Sequence, residues 1–168
     1  MKYVVTGGAG FIGSHVTKKL VERGDIVTVI DNMNTGKEKN LEPVRDKINF
    51  VKGDILDIDL LEDMTKDTDG VFHQAALASV QDSFDEPNEY HNVNVNGTEN
   101  ILKLSKKYGF KIVYASSSSV YGNPIKIPIK ESDERNPINP YAETKLKKEE
   151  LATEYSKMGV SVIGLRYF

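Results

Sequence analysis

The chain opens on a short β-prone run, Lys2-Tyr3-Val4-Val5-Thr6, that stops at glycines spaced Gly7-x-x-Gly10-x-x-Gly13. Ile12, Val16 and Leu20 follow one helical turn apart, so the segment reads as strand, tight turn, helix. Glycines permit a turn that side chains block, and they let backbone approach a pyrophosphate. The helix start adds unpaired N–H groups and a partial positive charge. Three glycines alone also fit a plain strand-to-helix turn. The second strand, Ile26-Val27-Thr28-Val29-Ile30, discriminates, because it ends at Asp31. A carboxylate at that strand tip, about 20 residues past the glycines, accepts hydrogen bonds from an adenosine ribose and repels a 2′-phosphate. Asp31 therefore favours NAD over NADP, and the nearby Lys37 and Lys39 weaken that exclusion only slightly.

Strand and helix patterns alternate along the rest of the chain. Ile48 to Val51 reads as a third strand, Leu56 to Met64 as a short helix started by Asp57 or Asp59, and Gly70 to His73 as a fourth strand. A long helix is expected from about Glu86 to Lys107, then a fifth strand over Lys111 to Ala115. Tyr121 to Pro140 holds four of the six prolines and reads as a long structured loop. A helix over Tyr141 to Met158, with Leu151, Tyr155 and Met158 on one face, precedes a sixth strand over Val160 to Arg166. This alternation predicts an α/β fold: a doubly wound, Rossmann-type parallel sheet, six strands in the order 3-2-1-4-5-6, with helices on both faces. Residues 1–168 then form one NAD-binding domain. Right-handed crossovers bring Gly7–Gly13, Gln74–Ala78, Ser116–Ser119 and the start of the last helix to one crevice.

The formal net charge of −3 gives no electrostatic footprint for nucleic acid. The absence of cysteine removes disulfides, thiol nucleophiles and thiolate metal sites. His15, His73 and His91 have no metal-ligand spacing and are expected in structural roles, so no metal is expected. Lys2 to Thr6 enters a strand directly, without a secretory leader, and no apolar run approaches membrane-spanning length. A cytoplasmic protein without a membrane partner is the resulting expectation. Lys147 and Lys148, beside Glu143, Glu149 and Glu150, are expected on a solvated helix face.

Tyr141-x-x-x-Lys145 occurs once. On a helix the two side chains share a face, and an ammonium beside a phenol favours the phenolate. A phenol tuned in this way serves as an acid or base near neutral pH, although tyrosine and lysine also share many ordinary amphipathic helices. The run Ser116-Ser117-Ser118-Ser119 follows the fifth strand. It fits a polar loop, or a hydroxyl that holds the oxygen Tyr141 deprotonates. It lacks the glycine flanks of a nucleophile elbow.

Several segments occur in order: Thr6-Gly-Gly-Ala-Gly-Phe-Ile-Gly13, Asp31-Asn32, Gly53-Asp54-Ile55, His73-Gln74-Ala75-Ala76, Asn94-Val95-Asn96-Gly97-Thr98, Ser117-Ser118-Ser119-Val120-Tyr121-Gly122, Tyr141-x-x-x-Lys145 and Arg166-Tyr167-Phe168. Together they resemble the extended short-chain dehydrogenases/reductases, most closely the UDP-glucose 4-epimerases. The resemblance implies Tyr141 as catalytic base, Lys145 as its electrostatic partner and a ribose ligand, and Ser117 as the hydroxyl that positions the sugar. It implies a cofactor site built from Gly7, Gly10, Phe11, Ile12 and Gly13 at the pyrophosphate. Asp31, Asn32, Met33, Asn34, Thr35 and Gly36 would hold the ribose, and Asp54 and Ile55 the adenine. Gln74, Ala75, Ala76, Leu77, Ala78, Asn94 and Phe168 would complete it. The implied reaction is NAD-dependent inversion at C4 of a UDP-sugar, UDP-glucose or UDP-galactose, through a transient 4-keto sugar.

Dehydratases of this superfamily carry an Asp-Glu pair before Val-Tyr-Gly, and decarboxylases a glutamate. Here Ser118 and Ser119 stand there, which favours simple epimerisation. Ala78 stands where some epimerases have lysine and bears on substrate type, including UDP-N-acetylhexosamines. Family members continue beyond the sixth strand into a smaller substrate lobe, so NAD binding with little or no turnover is expected of these 168 residues. A non-catalytic NAD-binding module is the alternative. The resemblance also implies a homodimer through the 86–107 and 141–158 helices.

Overall fold

The computed structural model describes residues 1–168. Six parallel strands, β1 (Lys2–Thr6), β2 (Ile26–Asp31), β3 (Ile48–Lys52), β4 (Gly70–His73), β5 (Lys111–Ser117) and β6 (Val162–Tyr167), form one sheet in the order β3-β2-β1-β4-β5-β6. This is the predicted α/β architecture with a Rossmann-like strand order. Neighbouring residues of the central strand feed opposite layers. Val4 packs with Ile101, Leu102 and Ile112 on one face, while Val5 packs with Leu20, Val27 and Leu41 on the other. Burial on both faces is why β1 and β2 read as runs of β-branched residues rather than as alternating apolar and polar ones.

Helices α1 (Phe11–Glu22), α2 (Ile58–Thr65), α3 (Asp82–Asp85), α4 (Pro87–His91), α5 (Gly97–Tyr108) and α6 (Pro140–Lys157) fill the connections. Asp57 caps α2 by accepting from Leu60 N–H, and Asn139 caps α6 by accepting from Ala142 N–H ahead of Pro140. None of the helices is long and apolar enough to cross a membrane. His73 is fully buried between Thr6 Oγ1 (2.7 Å from Nδ1) and Thr98 Oγ1 (2.9 Å from Nε2). Thr98 gives its own proton to Asn94 O, so His73 donates from Nε2 and accepts at Nδ1. Burial holds this imidazole well below its ordinary pKa.

Two expectations are corrected. The single helix over 86–107 is broken by a π turn at Asn92–Asn96. The Asn94 side chain spans to the loop after β4: Oδ1 accepts from Leu77 N–H, and Nδ2 donates to Leu77 O and Thr144 Oγ1. The wider turn accompanies these tertiary bonds, which local propensity does not encode. The second correction is Lys148. Lys147 is exposed as expected, but Lys148 has no accessible surface, and its Nζ has no hydrogen-bond partner. Consecutive helix positions lie about 100° apart, so Lys147 points to solvent while Lys148 turns into the core.

Burial, and then the positive charge of Lys145, push the Lys148 amine well below its ordinary range. The unfolded chain therefore binds this proton more readily, and the penalty is relieved as pH rises toward 10.5. Lys148→Met removes the unpartnered amine while keeping the stem. We expect it to stabilise the fold by about 1–3 kcal/mol at pH 7, read as a rise of about 2–4 °C in Tm per kcal/mol, with a smaller gain at pH 10. A lower Tm at pH 7 would contradict this account of Lys148.

Candidate active site

The glycine turn is a place where backbone meets backbone. Gly7 leaves β1 with φ +67°, and its missing Cβ would lie 2.6 Å from Ala75 N. A Cβ on Gly13 would stand 2.8 Å from Gly7 C and Gly8 Cα, and closer still to the Gly7 carbonyl oxygen. Helix α1 begins directly beyond, with no side-chain cap at Gly10 and no acidic residue in its first turn. Its positive end is thus left for an anion.

Asp31 at the tip of β2 is buried and does more than its strand-end position suggests. Its Oδ2 accepts from Ala9 N–H and its Oδ1 from Met33 N–H, both at 2.9 Å, so the carboxylate braces the glycine loop. Each oxygen retains a second acceptor site. Asn32 donates to Asp54 Oδ2 at 2.9 Å and accepts from Asn34 N–H, tying the loop after β2 to the loop after β3.

The crevice has two halves that meet at Gly7, Gly10, Gln74 and Ala76. The first, about 100 Å³, is lined by Asp31, Asn32, Asn34, Thr35, Ile55, Ala75 and Leu77. The second, about 290 Å³, is lined by Phe11, Ile12, Gly13, Ala78, Ser117, Tyr141 and Lys145. The amide of Gln74 stands between them. Its Oε1 accepts from the Tyr167 hydroxyl at 3.2 Å, and its Nε2 is buried without a partner. A buried amide donor left unpaired is costly. A polar ligand spanning the two halves would satisfy it, so the chemistry of this wall fits a dinucleotide.

In the second half, Lys145 is buried, and its Nζ donates to Ala115 O at 3.2 Å and lies 5.4 Å from the centre of the Tyr141 ring. Burial lowers this ammonium to about 8. The Tyr141 phenol moves upward instead of downward, because burial outweighs the opposing effect of the Ser117 hydroxyl. Sequence spacing anticipates an ammonium that lowers the phenol. In the folded chain Lys145 sits over the ring and is itself desolvated, so that effect does not dominate.

Not every sequence candidate lines the crevice. Asn94 is fully buried, with its side-chain amide bonded to protein at both ends. Gly36 packs against Asp31, where an added Cβ would lie 2.7 Å from Oδ1. Phe168 is 88% exposed and lines neither half. Sequence reasoning missed Tyr167, which lines the second half and orients Gln74. Its place at the end of a strand bordering β5 was the available signal.

The chain is similar to known proteins over nearly its whole length. The chain is 44% identical over 168 residues to a putative UDP-glucose 4-epimerase of Methanocaldococcus jannaschii, covering 98% of this chain and 54% of that protein. It superposes with a TM-score of 0.92 on the UDP-glucose 4-epimerase of Brucella ovis in complex with NAD, at 38% identity, covering 99% of this chain and 51% of the other. For the UDP-N-acetylglucosamine 4-epimerase of Methanobrevibacter ruminantium in complex with UDP-N-acetylmuramic acid, the TM-score is 0.94 at 40% identity, with 99% and 54% covered. The chain thus spans about half the length of the curated relatives it matches. From Tyr3 to Phe168 it also matches a family model, and with the glycine turn, Asp31 and the Tyr141–Lys145 pair in one crevice, the chain belongs to the NAD dependent epimerase/dehydratase family.

Proposed function

We propose that this chain supplies the NAD-binding and proton-transfer half of an enzyme that inverts C4 of a UDP-sugar, UDP-glucose or UDP-galactose. The observation that carries the reading is the continuous crevice, which joins the Asp31 half to the Ser117–Tyr141–Lys145 half across the glycine turn. Asp31 would offer its free acceptor sites to ribose hydroxyls, and the uncapped start of α1 would receive the pyrophosphate. NAD, when bound, supplies acceptance and return of a hydride. The Tyr141 phenolate takes the proton of the sugar hydroxyl and the phenol so formed gives it back, while the Lys145 ammonium favours the phenolate. Ser117 holds the same sugar oxygen. Ser118 and Ser119 bring no carboxyl group to this strand end, which supports epimerisation over elimination or decarboxylation.

The test is conversion of UDP-galactose to UDP-glucose by a protein carrying this segment, with and without the Tyr141 hydroxyl. Conversion that is indifferent to that hydroxyl overturns the reading. A second reading, NAD binding without turnover in these 168 residues, is favoured by the upward shift of the Tyr141 phenol, which keeps it protonated and leaves little phenolate to act as base at neutral pH. A homodimer through α4, α5 and α6 belongs to the same proposal. The outward face of α6 carries Glu143, Lys147, Glu150 and Glu154, so such an interface would be polar at that helix.

A further inference from the structure

One carboxylate ties together the elements that carry the reactive side chains. Glu149 lies one helical turn beyond Lys145 on α6, is buried, and receives four hydrogen bonds on its two oxygens. Ser116 Oγ donates to Oε1 at 2.6 Å, and Arg166 Nε to Oε1 at 2.8 Å. Arg166 Nη2 donates to Oε2 at 2.8 Å, and Arg135 Nη1 to Oε2 at 3.1 Å. The remaining guanidinium nitrogen of Arg166 reaches the Tyr121 hydroxyl at 2.5 Å and Glu131 O at 3.0 Å. A single anion therefore joins α6, the ends of β5 and β6, the turn at Ser118–Tyr121 and the proline-rich segment after it. Burial acts to raise the Glu149 carboxyl, but Arg166 and Ser116 outweigh it and keep it ionised.

The register of these bonds matters for the crevice. Two hydrogen bonds stitch α6 to the end of β5: Lys145 to Ala115 O, and Ser116 to Glu149. Ser117 is the next residue of β5 and lines the second half of the crevice beside Tyr141 and Lys145. Lys145 has no carboxylate partner and only the one carbonyl acceptor. Without the Glu149 stitch, the bond from Lys145 would be the one hydrogen bond left between α6 and the end of β5. With it, the register of helix and strand does not depend on that ammonium alone.

We infer that Glu149 is a positioning residue for the nicotinamide half of the crevice: it sets the spacing of Ser117, Tyr141 and Lys145 without touching the ligand. The inference rests on the proposed NAD reading and adds a residue to it. The adenosine half, built on Asp31, Asn32 and Asn34, shares no bond with this network.

The test compares NADH with ADP-ribose, which lacks the nicotinamide, on the full chain and on Glu149→Gln. The expected result is an NADH affinity lower by about tenfold with ADP-ribose affinity within about twofold. A role in general stability would move both ligands together, and that result overturns the inference, as does no change in either. Glu149→Gln leaves two guanidinium groups without a full anion. Should it fail to fold, Arg135→Gln, which removes only a half-exposed partner, is expected to lower NADH affinity about threefold with ADP-ribose unchanged. An equal effect on the two ligands sinks the idea there also. Failure of the unaltered chain to bind either ligand sinks the NAD reading instead. Hydrogen exchange then decides on Glu149. Faster exchange at residues 114–121 and 130–135 in the variant, with β2 unchanged, supports the clamp, and unchanged exchange in those segments contradicts it.

Discussion

Gly13→Ala is expected to lower NADH affinity by at least about 100-fold and to destabilise the fold by about 3 kcal/mol or more. The added methyl would lie 2.8 Å from Gly7 C and Gly8 Cα, and nearer to the Gly7 carbonyl. All three are backbone atoms, so no rotamer change relieves the contact. Either α1 moves away from the end of β1, or the turn over Gly7–Gly10 opens. Both displace the helix N-terminus from the crevice. Gly24→Ala is the control for backbone strain alone: it sits at φ +85°, where alanine is disfavoured, but a Cβ there meets nothing within 4 Å, so a modest loss of stability with unchanged NADH affinity is expected. The measurement is a fluorescence titration with NADH beside a thermal melt. Binding by Gly13→Ala within a few-fold of the unaltered chain would show that the turn is not the cofactor cradle.

Tyr141→Phe is expected to reduce conversion of UDP-galactose about 10²–10⁴-fold in a protein carrying this segment, the usual range for a lost general acid–base. NADH affinity should stay within a few-fold, since the ring remains in place beside Lys145. The pH profile adds a second check. Burial holds the phenol above its ordinary value, so turnover should rise with pH as the phenolate becomes accessible. The rise should stop near pH 8, where the Lys145 ammonium loses its proton and its pull on the phenolate. Retained turnover in the phenylalanine variant, measured by product analysis, would remove Tyr141 from the reaction.

The sheet was legible because its central strands are buried on both faces and therefore stand out as runs of β-branched residues, Val4 to Thr6 and Ile26 to Ile30. The glycine turn and Asp31 were legible because their spacing is fixed by contacts along the chain. What escaped sequence reading depends on tertiary contacts. The π turn at Asn92–Asn96 accompanies the bond from Asn94 to Leu77, seventeen residues away. Helix α6 hides its inward stripe because much of that stripe is polar: Tyr141, Lys145, Lys148 and Glu149 recur at helical spacing ahead of the apolar Ala152. A hydrophobic pattern search passes over it, and so Lys148 reads as solvated and Glu149 as an ordinary surface acid. The direction of the Tyr141 shift escaped for a related reason, since desolvation is set by the whole crevice and not by the partner four residues on.

The most direct test of the central claim is a calorimetric titration of the 168-residue chain with NADH and with NADPH. The account predicts one saturable site for NADH, at least about tenfold tighter than for NADPH, because the Asp31 carboxylate repels a 2′-phosphate. No heat with NADH, or equal affinity for the two, would contradict it.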